Sequence, residues 1–275
     1  MDNIRYSRHK LLEGFGKAGQ EKLLQSKVLL IGAGGLGSPN ALYLAAAGVG
    51  TIGIADADLV SLSNLQRQVI HFTEDVGRPK VESAAEKMRK INPDVKVITY
   101  DCFITEDNAS DIIKDYDFII DCTDSFASKY LVNDACILAG KPYCAGGVVK
   151  YGAQVMTHVP GSACYRCIFP EPPAENQVET CSTVGVLGSV VGIMGSIQAT
   201  EAIKYLTGIG DLLTDKIMVI DALTMNIQTI GINRNEGCPV CGEHPTITEL
   251  KEYSFQPCRG KKSFSFSSNE EELGS

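Results

Sequence analysis

The sequence predicts an α/β fold: a Rossmann-like, mainly parallel sheet with helices on both faces, continued by an antiparallel extension and a structural zinc site. Three observations predict it. Apolar runs of strand length alternate with helix-length segments over residues 27–147, the pattern of successive βαβ units. A glycine-rich loop directly follows the first of these runs. Two Cys-x-x-Cys pairs, about 70 residues apart, lie in the second half of the chain.

The elements follow in order. Residues 1–26 read as helical, with Ile4, Arg5, Arg8, Leu11 and Leu12 at helical spacing and Leu23 and Leu24 after a Gly-rich break. Residues 27–31 form a buried strand that ends at Gly32, and an Ala- and Leu-rich helix spans 36–47. Strands at 51–55, 95–100, 118–121 and 142–145 alternate with helices at 79–91, near 106–114 and at 126–140. Beyond Gly147 the rhythm changes. Residues 152–159 suit an antiparallel strand, 170–182 a Pro-rich acidic loop, 185–207 a long apolar helix and 216–220 a further strand. The expected organisation is a single domain over 1–258, made of N-terminal helices (1–26), a core (27–147) and a zinc-bearing part (148–258). The Lys-, Ser- and Glu-rich tail at 259–275 reads as disordered.

Composition excludes some classes of function. Among the 275 residues 44% are apolar and 21% charged, enough for a packed core. A net charge of −8 without a basic block argues against nucleic acid as a partner. No apolar run reaches the ~20 residues that span a bilayer, and the polar N-terminus has no signal-peptide core. The expectation is a cytoplasmic protein that contacts no membrane. Ten cysteines then indicate metal or thiol chemistry rather than disulfides.

The loop Gly32-Ala33-Gly34-Gly35-Leu36-Gly37 fits G-x-G-x-x-G between a strand and a helix. Such glycines let backbone N–H groups and a helix N-terminus meet phosphate oxygens. Asp56, at the end of the second strand, can accept hydrogen bonds from a ribose. These features alone also suit a nicotinamide dinucleotide. However, Asp58, Asn64, Arg67 and Gln68 follow within twelve positions, and Lys80 stands at a helix start. Two cations beside a phosphate loop suit a triphosphate under attack better than a diphosphate. Asp124, just after the fourth strand, can hold Mg2+ between phosphates. A helix N-cap role for Asp124 or Ser125 is the plainer alternative.

Cys164, Cys167, Cys238 and Cys241 have the spacing of a closed tetrahedral zinc site, one structural Zn2+ per chain. Cys102, Cys122, Cys136 and Cys144 read as small buried hydrophobes, and Cys258 is uninformative. Cys181 stands before an apolar helix, where a thiol pKa can fall.

The glycine loop, the stretch from Asp56 to Gln68, Gly77-Arg78-Pro79-Lys80-Val81-Glu82, Asp121-Cys122-Thr123-Asp124 and the two Cys pairs together resemble the ThiF/MoeB/HesA family, over about residues 4–253. The Ser63-Asn64-Leu65-Gln66-Arg67-Gln68 segment is the most specific part. The resemblance implies an adenylyltransferase. It would use Mg-ATP to activate the C-terminal glycine of a small ubiquitin-like sulfur carrier ending in Gly-Gly, releasing pyrophosphate, in thiamine or molybdopterin biosynthesis. It further implies that Gly34 and Gly35 belong to the ATP phosphate loop and Asp56 to the ribose site. Ser63, Asn64, Arg67, Gln68 and Lys80 contact phosphates and Asp124 binds Mg2+. Arg8 reaches the partner's ATP in a homodimer, and a sulfur-donor protein is a further partner. In part of the family a cysteine at the position of Cys181 bonds to the carrier's C-terminus. The chain has Ser125 where the family often has Asn, and Lys129 where it often has Arg. An enzyme of the same fold acting on a tRNA-linked or small-molecule carboxylate is the main alternative. Asp58 and Ser125 complete the candidate nucleotide contacts.

Overall fold

Runs of Val, Ile and Leu become the centre of the sheet. The computed structural model describes residues 4–173 and 181–251, without the side chains of Cys181 and Ser182. Strands β1 (Lys27–Ile31), β2 (Thr51–Ala55), β3 (Lys96–Tyr100), β4 (Phe118–Asp121) and β5 (Tyr143–Val149) run parallel. Their side chains alternate between two cores. Val28, Leu30, Ile52, Ile54, Phe118 and Ile120 enter one, while Leu29, Ile31, Ile119 and Tyr143 enter the other. Burial on both faces is why these strands read as continuous apolar runs rather than alternating ones.

The described helices are α1 (Ser7–Lys10), α2 (Gly16–Gln25), α3 (Gly37–Ala47), α4 (Lys80–Ile91), α5 (Ala109–Ile113), α6 (Phe126–Leu138), α7 (Tyr165–Ile168), α8 (Cys181–Val184) and α9 (Gly188–Thr207). Helices α2, α3, α4 and α9 supply the first core, and α5 and α6 the second. Helix α9 packs closely on α3 because Gly195 has no side chain: a Cβ there would lie 2.4 Å from Pro39 Cγ and 2.6 Å from Leu36 O.

Strands β6 (Gly152–His158), β7 (Lys216–Asp221) and β8 (Asn226–Gly231) extend the sheet antiparallel. The strand order is β3-β2-β1-β4-β5-β6-β7-β8. The chain therefore builds outward in opposite directions from the β1/β4 pair, and the crevice at that switch point is where open α/β sheets bind ligands. No helix among the described residues is long and apolar enough to cross a membrane.

The structure departs from the sequence expectations in three places. Strand β8 was not expected, because all six of its residues are exposed and no apolar run announces it. Strand β5 continues past Ala145 through Gly146 and Gly147. Glycine weakens a strand, but Gly146 is needed where it is, since a Cβ there would meet Gln198 Nε2 at 2.8 Å. Cys181–Val184 is helical rather than part of the loop. The remainder of the expected 170–182 loop at 174–180, and the expected tail at 259–275 with Cys258, lie outside the described residues.

Candidate functional site

A cleft of about 640 Å3 opens at the carboxyl ends of β1, β2 and β4. Gly34 and Gly35 line it. The loop's other glycines serve packing: Gly32 has φ +107°, and a Cβ on Gly37 would lie 2.1 Å from Gly32 O. Among the described residues nothing accepts the N–H of Gly34 or Gly35. These N–H groups next to the start of α3 form a site suited to an anion.

Asp56 ties the loop to β2. Its Oδ2 accepts the Ala33 N–H at 2.9 Å and its Oδ1 accepts the Asp58 N–H at 2.8 Å. Lys80 Nζ lies 2.9 Å from Asp58 Oδ2 and 3.9 Å from Asp56 Oδ2, and Lys80 is only 5% exposed. Burial pushes the Lys80 pKa down, Asp56 and Asp124 oppose that shift, and Arg67 adds to it. Arg67 lines the cleft and donates to Ser63 O at 3.2 Å. Gln68, also in the lining, is 4% exposed, and its Oε1 has no hydrogen-bond donor among the described residues. A buried acceptor in that condition is costly unless a ligand satisfies it.

On the opposite wall, Ser125 caps α6 by accepting the Ser128 N–H at 3.1 Å. Asp124 is therefore not used as the cap. It is exposed in the cleft and makes no hydrogen bond or ion pair with a described residue. Its charge reaches Lys80 across the cleft. Phe103, Ile104 and Phe126 supply an apolar wall, suited to the face of a nucleobase.

The structure thus brings Gly34, Gly35, Asp56, Asp58, Arg67, Gln68, Lys80, Asp124 and Ser125 into one cleft. It does not bring Ser63, Asn64 or Arg8 to the lining. Asn64 Oδ1 accepts the Ser61 N–H at 3.3 Å, and Ser63 Oγ lies 2.9 Å from Ser61 Oγ, so both serve the turn that carries Arg67. Arg8 is exposed on α1. Cys181 begins α8, but its side chain lies outside the described ones. Lys129, noted in the sequence only as a departure from the family's usual Arg, is also a cleft residue. Its Nζ sits 3.0 Å from Asp121 Oδ2 and 2.5 Å from Gly146 O. The available signal was its place one helical turn after Ser125, on the face of α6 toward the cleft.

The sulfurs of Cys164, Cys167, Cys238 and Cys241 all lie within 4.8 Å of one another. Adjacent pairs stand 3.4–3.8 Å apart, too far for disulfides. That separation suits a tetrahedral ion with metal–sulfur bonds of about 2.3 Å. The neighbouring Cys164 and Cys238 thiols, with backbone N–H groups from Asn235 and Cys164, favour the Cys167 thiolate. A metal ion would find its four ligands already gathered.

Fold and cleft together define a nucleotide-binding α/β protein whose phosphate loop faces cations and a carboxylate across the switch point. More specifically, the chain belongs to the ThiF family, whose profile matches residues 6–240. It is 45% identical over 239 residues to the SAMP-activating enzyme E1 of Haloferax volcanii, covering 87% of this chain and 88% of that one. It is 42% identical over 255 residues to the sulfur carrier protein adenylyltransferase of Thermus thermophilus, covering 90% and 94%. The probable adenylyltransferase/sulfurtransferase MoeZ of Mycobacterium tuberculosis is 46% identical over 90% of this chain, which spans 63% of MoeZ. The crystal structure of E. coli MccB with ATP superimposes with a TM-score of 0.77 at 26% identity, covering 87% of this chain and 75% of MccB.

Proposed function

We propose that the chain adenylates the C-terminal glycine of a ubiquitin-like sulfur carrier in thiamine or molybdopterin biosynthesis. The observation that carries this reading is the convergence of Gly34, Gly35, Arg67, Gln68, Lys80 and Asp124 on one cleft, in a chain whose relatives include a named sulfur carrier adenylyltransferase. The carrier's carboxylate is already ionised at neutral pH, so attack needs no general base. One of its oxygens bonds to the α-phosphorus of ATP, the bond to the bridging oxygen breaks, and pyrophosphate departs with the electron pair. The chain's task is to place the two reactants in line and to neutralise charge. Arg67 and Lys80 supply positive charge, and the Gly34 and Gly35 N–H groups bind phosphate oxygen. The two carboxylate oxygens of Asp56 each accept one backbone N–H and keep further lone pairs for ribose hydroxyls. The Asp124 carboxylate, exposed in the cleft, fits Mg2+, which when bound shields the polyphosphate charge. Cys164, Cys167, Cys238 and Cys241 would hold one structural Zn2+. The use of ATP and four cysteines gathered as metal ligands rather than disulfides support a cytoplasmic location. The test is ATP–pyrophosphate exchange that appears only when a Gly-Gly-ended carrier is added. Exchange with a small carboxylate alone would point to a different substrate.

Arg8 has no place in its own chain's cleft, which accords with a homodimer in which it serves the partner's ATP. Mixing Arg8→Ala and Arg67→Ala subunits should then restore about one working site per heterodimer, because one cleft regains both arginines. No recovery after proven subunit exchange would remove Arg8 from the partner's site.

Adenylation needs no thiol. Cys181→Ala should leave pyrophosphate exchange within about twofold of the wild type, a change under ~0.5 kcal/mol. Any chemistry at Cys181 comes afterwards: its thiolate would attack the acyl-adenylate carbonyl and expel AMP, giving a thioester to the carrier. Intact-mass spectrometry of wild type and Cys181→Ala with carrier and ATP reads this directly. Loss of exchange in a folded Cys181→Ala protein would contradict that order of steps.

A further inference from the structure

His71 belongs to no motif discussed above, yet it touches the phosphate loop. It is 3% exposed, and its Nε2 lies 2.8 Å from the Ala33 carbonyl oxygen. A carbonyl only accepts, so Nε2 carries the proton and Nδ1 is left as an acceptor. Ser83 Oγ, on α4, stands 2.9 Å from Nδ1 and donates to it. Behind it, Lys87 Nζ lies 3.4 Å from Ser83 Oγ and 2.5 Å from Asp75 Oδ2, which is fully buried. With the ring neutral, donors line up in one direction, from Lys87 to Ser83 to His71 to Ala33, with Asp75 the competing acceptor for the Ser83 hydroxyl. Burial lowers the imidazole pKa and Lys80 adds to this, against the Ala33 bond, Asp75 and Asp56, in keeping with a neutral ring.

We propose that His71 is a positioning residue: it fixes the Ala33–Gly34 peptide so that the Gly34 N–H faces the cleft. Ala33 is clamped at both ends, its N–H by Asp56 Oδ2 at 2.9 Å and its C=O by His71. A trans peptide is planar, so the Gly34 N–H points opposite to the Ala33 carbonyl. Holding the carbonyl down toward His71 turns the N–H up toward an incoming phosphate. Gly34 has no side chain to resist rotation of this peptide, which is why an external clamp matters here. The ring nitrogen thus prepays the orientation of an anion-binding dipole, while His71 itself never meets the nucleotide.

This inference rests on the nucleotide reading of the cleft, and the experiment separates the two. Calorimetric titrations with Mg-ATP and with adenosine are run on the wild type, His71→Ala, His71→Gln and Ser83→Ala. His71→Ala should weaken ATP about tenfold, the worth of one well-placed hydrogen bond to a charged group, while adenosine changes less than about twofold. His71→Gln, which keeps an N–H donor, should recover most of that loss. Ser83→Ala, which frees the tautomer but keeps the ring, should show a smaller loss in the same phosphate-selective sense, and it serves if His71→Ala does not fold. Unchanged ATP affinity in the folded variants, or equal weakening of ATP and adenosine, would overturn the positioning role. A wild type that binds no ATP would overturn the reading beneath it.

Discussion

Lys80→Ala should lower carrier-dependent pyrophosphate exchange by ~100–1000-fold, equivalent to roughly 2.7–4 kcal/mol of lost transition-state stabilisation. Two effects add. The first is loss of a cation that is buried, and so poorly screened, beside the developing charge. The second is what remains. Asp58 and Asp56, 2.9 and 3.9 Å from the ammonium, would face the polyphosphate without their counter-charge. The double variant Lys80→Ala/Asp58→Ala separates these effects. It should regain part of the loss by removing the repulsion, yet remain well below the wild type. Arg67→Ala and Asp124→Ala should fall in the same range, Asp124→Ala with a steeper requirement for Mg2+. Exchange near the wild-type rate in a folded Lys80→Ala protein would remove this lysine from the site.

The parallel half of the fold was legible because its strands are buried on both faces, so Val28 to Ile31 and Phe118 to Ile120 read as unbroken apolar runs whose lengths fix the elements. Strand β8 was not legible for the converse reason. Its Ile227 and Ile230 are exposed and its other residues are Asn226, Gln228, Thr229 and Gly231, so pairing with β7, and not core burial, makes it a strand. In the cleft, the glycines, Asp56 and Asp124 announced themselves through sequence proximity to strand ends, and Arg67 and Lys80 through the charged segment and the helix start that follow β2. Ser63 and Asn64 share that segment, but Ser63 Oγ and Asn64 Oδ1 turn to Ser61, a distinction that only the three-dimensional path of residues 61–68 supplies. Lys129 drew notice only as a departure from the family's usual Arg, and His71 drew none, because neither is adjacent in sequence to the atoms it serves. His71 is 38 residues from Ala33, and the link exists only once α4 packs beneath the loop. Long-range partners of this kind leave no local periodicity.

Removing the metal, or one of its ligands, should cost stability first and chemistry second. Purified protein is expected to hold about one zinc per chain, and Co2+ exchanged into it should show the absorption of a tetrahedral thiolate site. Cys164 and Cys167 bracket the start of α7, while Cys238 and Cys241 follow β8, so the ion would join two segments 74 residues apart. In the apolar cluster around them, Val240 is the main buried residue that is not a cysteine, too little to hold the segments together. Metal binding free energy is then folding free energy. A loss of ~4 kcal/mol in Cys238→Ser would lower Tm by about 8–16 °C for a chain of this size. The disturbance should travel along a definite route. Arg166, within α7, makes a buried pair with Asp134 of α6 at 2.7 and 2.8 Å and stacks 4.5 Å above the Tyr130 ring. Loosening α7 strands that guanidinium and carboxylate without their partners, a penalty of ~3–5 kcal/mol when a buried pair is broken outright. Hydrogen exchange should therefore quicken in α7 and along the Tyr130–Asp134 stretch of α6 before it does in β1, β2 or the glycine loop. On the proposed function ATP would meet Asp124 and Ser125 at the start of α6 and the glycine loop, so its affinity should outlast the zinc. A metal-free protein with an unchanged Tm would end the zinc assignment, and loss of ATP binding in step with zinc would show that the two sites are not separable in this way.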